Sequence, residues 1–159
     1  MIAEAVRLLG ERNETFATAE SLTGGLVAAT AVEIPGVSAV FRGGLIVYAT
    51  DLKHSLAGVQ ADLLAERGPV DPDVALALAA GARERCGATW GLATTGVAGP
   101  DPQDGIPVGL VYIAVAGPSG ATVRELRLKG SRAEIRSATV AGVFDLLTEQ
   151  LQAQTPSRP

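Results

Sequence analysis

The run Thr18-Ala19-Glu20-Ser21-Leu22-Thr23-Gly24-Gly25 puts two hydroxyls beside a glycine pair, at a point where extended periodicity gives way to helical. A hydroxyl at such a junction projects above the sheet edge, from where a nucleophile reaches a substrate. The N-terminus of the helix that follows would offer free N–H groups and partial positive charge. Together with Thr23, Gly24 and Gly25 it would then hold an anion or a developing alkoxide. Ser21 or Thr23 fits a simple helix cap equally well, with the glycines making the turn. The octet matches neither the dinucleotide fingerprint, nor the phosphate loop, nor G-x-S-x-G, so its neighbours must decide.

A serine needs a group that takes its proton, and the single histidine, His54, has no motif partner. Lysine is the next candidate. Tyr48-Ala49-Thr50-Asp51-Leu52-Lys53 closes the second extended run, so Tyr48 and Lys53 can reach the edge that carries Ser21. A buried lysine with a depressed pKa acts as a general base, and a tyrosine hydroxyl can relay or orient the proton. Taken singly, Tyr48 reads as a packed strand aromatic and Lys53 as a solvated helix residue.

Thr94-Thr95-Gly96-Val97-Ala98-Gly99-Pro100 ends the third extended run. The Thr95 hydroxyl and the N–H groups from Gly96 onward could bind a carbonyl or phosphate oxygen if this strand is parallel to the first two. Asp101 and Asp104 fit turn formation better than cation binding. Arg132 and Arg136, four apart, share one face at the start of the last helix, where the macrodipole disfavours positive charge. A bound phosphate or a nearby carboxylate would compensate both.

These residues need elements to position them. Ile2, Val6 and Leu9 repeat at helical spacing, and Thr15 to Ala19 reads as a strand. A second helix starts near the glycine pair and stops at Pro35-Gly36, and Gly44 to Thr50 reads as a buried strand. Short helices are expected at 51–57 and 61–67, then a longer one over 72–86 with Asp71 as N-cap and Pro72 in its first turn. Thr89 to Thr95 and Pro107 to Ala116 read as strands, the latter joined to Ala121 to Lys129 by a hairpin, which makes the sheet mixed. Ser131 and Glu134 form a capping box that opens a final helix to about Gln152. Helices interleaved with about five strands predict an α/β fold, a three-layer α/β/α sandwich with a mixed, mainly parallel sheet. The expected organisation is one domain over 1–154 and a frayed tail over 155–159.

Composition narrows the function classes. Apolar residues make up 47% of 159, enough for a packed core. No apolar stretch approaches the roughly 20 residues of a membrane span. The start lacks a secretory pattern and the single Cys86 cannot form an internal disulfide, so a cytoplasmic setting and no membrane partner are expected. A net charge of -4 without a basic run argues against nucleic acid as a partner. One His and one Cys leave no cluster for zinc, so neither metal nor other cofactor is expected.

In order along the chain stand T-A-E-S-x-T-G-G, Y-x-x-x-x-K, T-G-V-A-G-P-D, P-V-G and a G-x-R opening the last helix. This series closely resembles the CinA C-terminal family from about Ala3 to Leu151. The resemblance implies an α/β/α sandwich and an amidohydrolase converting nicotinamide mononucleotide to nicotinate mononucleotide and ammonia, in pyridine-nucleotide salvage. By motif, Ser21 is similar to the family's nucleophile, Lys53 to its catalytic lysine and Tyr48 to the adjacent tyrosine. Thr95 and Gly96 fall in the substrate loop, and Arg132 and Arg136 match the late arginines. Thr50 where the family often has Asn, and Pro102-Gln103-Asp104 in place of a glycine-rich continuation, bear on pocket shape. An amidase for another small amide, or a silent nucleotide-binding module linked to competence or DNA damage, are the alternatives. A homodimer is compatible with the apolar helices.

Overall fold

The chain runs through α1 (Ile2–Arg12), β1 (Phe16–Glu20), α2 (Leu26–Ala31), β2 (Phe41–Ile46), α3 (Thr50–Ser55), α4 (Ala61–Arg67), α5 (Pro72–Arg85), β3 (Trp90–Gly96), β4 (Leu110–Gly117), β5 (Gly120–Arg127) and α6 (Arg132–Ala153). This computed structural model describes residues 2–154; Met1 and the predicted tail at 155–159 lie outside the described residues. The strands form one sheet in the order β2-β1-β3-β4-β5. β1 pairs in parallel with β2 and β3, while β4 is antiparallel to β3 and to β5. Only β4 therefore runs against the rest, which makes the sheet mixed and mainly parallel, as the hairpin at 117–120 requires.

β1 is buried along its whole length because helices cover both faces of the sheet. On one face Leu9, Phe16, Trp90, Ile135, Phe144 and Leu147 join α1 and α6 to the strands. On the other face the contact is built largely from alanine, including Ala17, Ala19, Ala75, Ala79, Ala82, Ala93 and Ala114. Small side chains let α5 lie close against β3. A Cβ on Gly91 would stand 1.9 Å from the Ala79 carbonyl oxygen, so that position admits no side chain without moving the helix.

The second strand differs from the sequence expectation. It occupies Phe41–Ile46 rather than 44–50, and it is an edge strand whose residues alternate between half-buried and exposed. Two tertiary contacts set this register. Phe41 packs on Phe16 with ring centroids 5.0 Å apart. Gly44 leaves the space into which Thr18 projects, since a Cβ there would lie 2.1 Å from Thr18 Oγ1. The glycines that resemble a break are thus a fitting for the neighbouring strand. The chain leaves the sheet after Ile46, so Tyr48 belongs to the connection into α3.

The termini of the long helices follow their signals. Asp71 caps α5 by accepting from the N–H groups of Asp73 and Val74, and the Ser131–Glu134 capping box is complete at α6. Among the described residues no helix is long and apolar enough to cross a membrane.

Packing at the α5 layer gives a paired expectation. Gly91→Ala should lower unfolding free energy by about 1–3 kcal/mol through overpacking. Gly10→Ala, where a Cβ meets nothing within 4 Å, should raise it by up to about 1 kcal/mol through helix propensity. Urea unfolding of both variants checks the contrast, and equal effects would contradict the close approach of α5.

Candidate active site

β1 and β3 lie side by side, and their chains then diverge, β1 towards α2 and β2, β3 towards β4. In an open α/β sheet the crevice beyond such strand ends is where ligands bind. Ser21 is the first residue past β1. Its N–H donates to the Thr94 carbonyl at 3.0 Å, while its own carbonyl accepts from Gly24 N–H at 3.0 Å and so turns the chain out of the sheet.

The turn is held from beneath. Glu20 is 1% exposed. Its carboxylate accepts from Val27 N–H at 2.7 Å, Ala28 N–H at 3.1 Å and the Thr23 hydroxyl at 2.7 Å. The Thr23 and Thr94 hydroxyls lie 2.8 Å apart. From α6, Arg136 donates to the carbonyls of Leu22 at 2.9 Å and Thr23 at 2.8 Å. Ser21 is thereby fixed with its side chain facing the crevice.

Lys53, in α3, reaches the same point from the opposite wall. Its amine stands 2.8 Å from Ser21 Oγ, 2.7 Å from the Val47 carbonyl oxygen and 3.2 Å from the Tyr48 carbonyl oxygen. The residue is 1% exposed, and burial without a carboxylate partner pulls its pKa from the usual lysine value down to about 8. A neutral amine has two N–H donors and one lone pair. The two carbonyls satisfy the donors, which leaves the lone pair for the Ser21 hydroxyl proton.

Between them lies a cleft lined by Ser21, Lys53, Tyr48, Pro69, Val70, Thr95, Gly96, Asp101, Gln103 and Arg132, among others. The Thr95 hydroxyl donates to the Pro69 carbonyl at 2.7 Å and so ties the wall at 69–70 to β3. At the mouth Arg132 donates to the Gly99 carbonyl and, at 3.2 Å, to the Tyr48 hydroxyl. The outer rim is a tight turn: Gln103 and Ile106 exchange backbone hydrogen bonds around Asp104 and Gly105, both at positive φ.

The CinA C-terminal domain model matches residues 1–151. The chain belongs to this family. It is 51% identical over 144 residues, 91% of its length, to a CinA-like protein of Frankia casuarinae. It is 46% identical over 91% of its length to a CinA-like protein of Geobacter sulfurreducens. It spans about a third of the length of these curated relatives, 33% and 35% respectively. Among solved structures it is similar to a competence/damage inducible protein of Agrobacterium tumefaciens, with a TM-score of 0.87, 37% identity and 95% of each chain covered. A CinA superfamily protein of Klebsiella pneumoniae has a TM-score of 0.92 at 26% identity, with 96% of each chain covered.

Of the family motif residues, the fold brings Ser21, Lys53, Tyr48, Thr95, Gly96 and Arg132 to one cleft. Tyr48 supplies its carbonyl to Lys53 and its phenol to Arg132. Its side chain is 61% exposed, rather than packed in a strand or placed between Lys53 and Ser21. The arginine pair separates: Arg132 stands at the mouth, while the Arg136 guanidinium grips the loop carbonyls instead of facing the cleft. Thr23 is fully buried, and the α2 N-terminus with Gly24 and Gly25 is already occupied by the Glu20 carboxylate. The Val27 and Ala28 N–H groups of that helix end are therefore not free for a ligand. Thr95 spends its hydroxyl on Pro69. The exposed His54 contacts the Val59 carbonyl oxygen at 2.7 Å, and no group of metal-ligating side chains occurs among the described residues.

Sequence reasoning missed Glu20, the Val47 carbonyl and the wall at Pro69-Val70. A carboxylate capping a helix from the preceding strand has no fixed spacing, and backbone carbonyls leave no signature in side-chain type.

Glu20→Ala removes the acceptor for both α2 N–H groups and for Thr23. It should cost about 1–3 kcal/mol of unfolding free energy, measured by urea denaturation. A change within about 0.5 kcal/mol would contradict the anchoring role.

Proposed function

We infer that this chain is a serine amidohydrolase that converts nicotinamide mononucleotide to nicotinate mononucleotide and ammonia. The observation that carries the reaction class is the Lys53 amine at 2.8 Å from Ser21 Oγ, with the two donors of the neutral amine held by the two carbonyls. The substrate class rests on the resemblance of the motifs and on Arg132 at the cleft mouth, where a guanidinium suits a phosphate.

In this reaction Ser21 Oγ forms a bond to the carboxamide carbon as its proton passes to the Lys53 amine. The carbonyl π electrons move onto oxygen, giving a tetrahedral oxyanion. On collapse the C–N bond breaks, and the Lys53 ammonium returns the proton to the departing nitrogen, which leaves as ammonia. Water then attacks the nicotinoyl ester and loses a proton to Lys53; on collapse the C–Oγ bond breaks, the Lys53 ammonium returns that proton to Ser21 Oγ, and the carboxylic acid leaves. Tyr48 belongs to the mouth, where its phenol orients Arg132. Glu20, Thr23 and Arg136 hold the nucleophile's loop, and the backbone between Thr95 and Gly99 forms the wall facing the amide. The reaction calls on no metal or cofactor.

Ammonia release from nicotinamide mononucleotide by the purified chain should fall at least about a thousandfold in Ser21→Ala, with folding retained. Release unaffected by that substitution would remove Ser21 from the mechanism. Nucleotide binding without release by the wild type would instead favour the silent-module reading. Only the neutral amine can take the serine proton, so kcat/KM should rise with pH through an apparent pKa of about 8 and fall about tenfold per unit below it. A profile flat from pH 6 to 9 would contradict Lys53 as base.

Arg132→Met should reduce the preference for the mononucleotide over its phosphate-free riboside by about tenfold or more, as loss of a charge-assisted hydrogen bond implies. Steady-state kinetics on both substrates, with glutamine and free nicotinamide alongside, measure that ratio. An unchanged ratio would point to another small amide.

A further inference from the structure

The Ser21 attack needs a donor for the oxygen that gains charge, and the α2 N-terminus is filled by Glu20. The strand ladder supplies another. In an antiparallel pair, alternate residues turn their N–H and C=O groups towards the partner. Val97 N–H donates to the Leu110 carbonyl at 3.0 Å, and Gly96 pairs with Val111 in register. Odd-numbered residues of β3 thus face β4, and the Gly96 N–H points the other way, towards β1.

On that side the parallel ladder with β1 ends at Glu20 opposite Thr94. Its last bond runs from Ser21 N–H to the Thr94 carbonyl. The next rung would run from Gly96 N–H to the Ser21 carbonyl. That rung is not made, because Ser21 has already turned out of the sheet and its carbonyl accepts from Gly24. The Gly96 N–H is left without a protein acceptor among the described residues, and Gly96 lines the same cleft as Ser21 and Lys53.

Glycine at this position is also required by packing. A Cβ on Gly96 would lie 2.6 Å from Val111 Cγ2 and 2.8 Å from the Leu110 carbonyl oxygen. The strand end can approach β4 this closely only without a side chain.

We propose that the backbone N–H of Gly96 is the oxyanion donor of this site, binding the substrate carbonyl oxygen as Ser21 adds to the amide carbon. The assignment rests on the amidohydrolase reading above. It places a catalytic group on the peptide backbone, where no side-chain motif records it. The missing rung is the source of the donor: one hydrogen bond absent from the sheet is made in the transition state instead. A fixed donor of this kind contributes by being oriented before the charge develops.

Gly96→Ala is a poor test, since the clash with Leu110 and Val111 would disturb the strand. Replacing Gly96 by glycolic acid removes the N–H without adding a side chain, at the cost of a weaker acceptor at the Thr95 carbonyl in the ladder with β4. Ligation at the native Cys86 makes that backbone ester accessible by semisynthesis. The ester chain should turn over nicotinamide mononucleotide with kcat lowered about 10²–10³-fold and KM close to that of the amide chain. A kcat within about threefold of the parent would overturn the assignment.

A second measurement does not depend on the ester. Pyridine-3-boronic acid, added to ¹⁵N-labelled wild-type chain, should form a tetrahedral adduct on Ser21 seen by ¹¹B resonance. The Gly96 amide proton should move downfield with it, and neither change should occur in Ser21→Ala. An adduct that leaves Gly96 unmoved while shifting Leu22, whose N–H also lacks an acceptor among the described residues, would overturn Gly96 and spare the amidohydrolase reading. Absence of any adduct would overturn Ser21 as nucleophile, and the donor assignment with it.

Discussion

A lysine 1% exposed, with no carboxylate among the described residues beside its amine, is the constraint around which this site is arranged. Burying an ammonium costs several kcal/mol unless it is paired or neutralised, and here burial pulls the pKa towards neutrality. The Val47 and Tyr48 carbonyls then take on a specific meaning. They come from the segment that leaves β2, and that segment is irregular because the chain must quit the sheet there to enter α3. The same departure that ends an edge strand provides the two acceptors that orient the amine. The position of β2 and the chemistry of Lys53 are therefore one structural fact.

Opposite the lysine, the Ser21 loop is held by groups that do not line the cleft. Glu20 satisfies the first free N–H groups of α2 and the Thr23 hydroxyl, and Arg136 bridges from α6 to two loop carbonyls. The buried Glu20 accepts three hydrogen bonds and Arg136 donates two to the loop, and polar groups held in this way rigidify a structure. In the proposed reaction Ser21 must stay within hydrogen-bonding distance of Lys53, and this anchoring would serve it, because displacement of about 1 Å is costly in rate. The division of labour also explains why two arginines on one helix face behave differently. Arg132 lies at the first position of α6 and reaches out to Gly99 and Tyr48, whereas Arg136, one turn further in, lies under the loop.

The legibility of the site follows from the type of group involved. Ser21 and Lys53 are visible in the sequence because each lies at the end of an element whose periodicity changes, and their motif context is distinctive. Tyr48 is visible as a neighbour of Lys53, yet its direction is not, since that depends on where β2 ends. The strand itself is displaced from expectation because Phe41 and Gly44 answer to Phe16 and Thr18, residues more than twenty positions earlier. Glu20 stands inside the motif, but a cap delivered from a strand has no spacing rule to reveal it.

Hydrophobic periodicity, the Asp71 and Ser131–Glu134 caps and the 117–120 hairpin were enough to determine the layered α/β architecture, because these are local preferences that tertiary packing reinforces. The ordered motifs likewise determined the family. Tertiary structure alone decided which of the candidate groups face one another. It set the strand order that opens the crevice between β1 and β3, the burial that shifts Lys53, the occupation of the α2 end by Glu20 and the unpaired edge at Gly96. Those are properties of distance and solvent exclusion between segments far apart in the chain, and no residue type encodes them by itself.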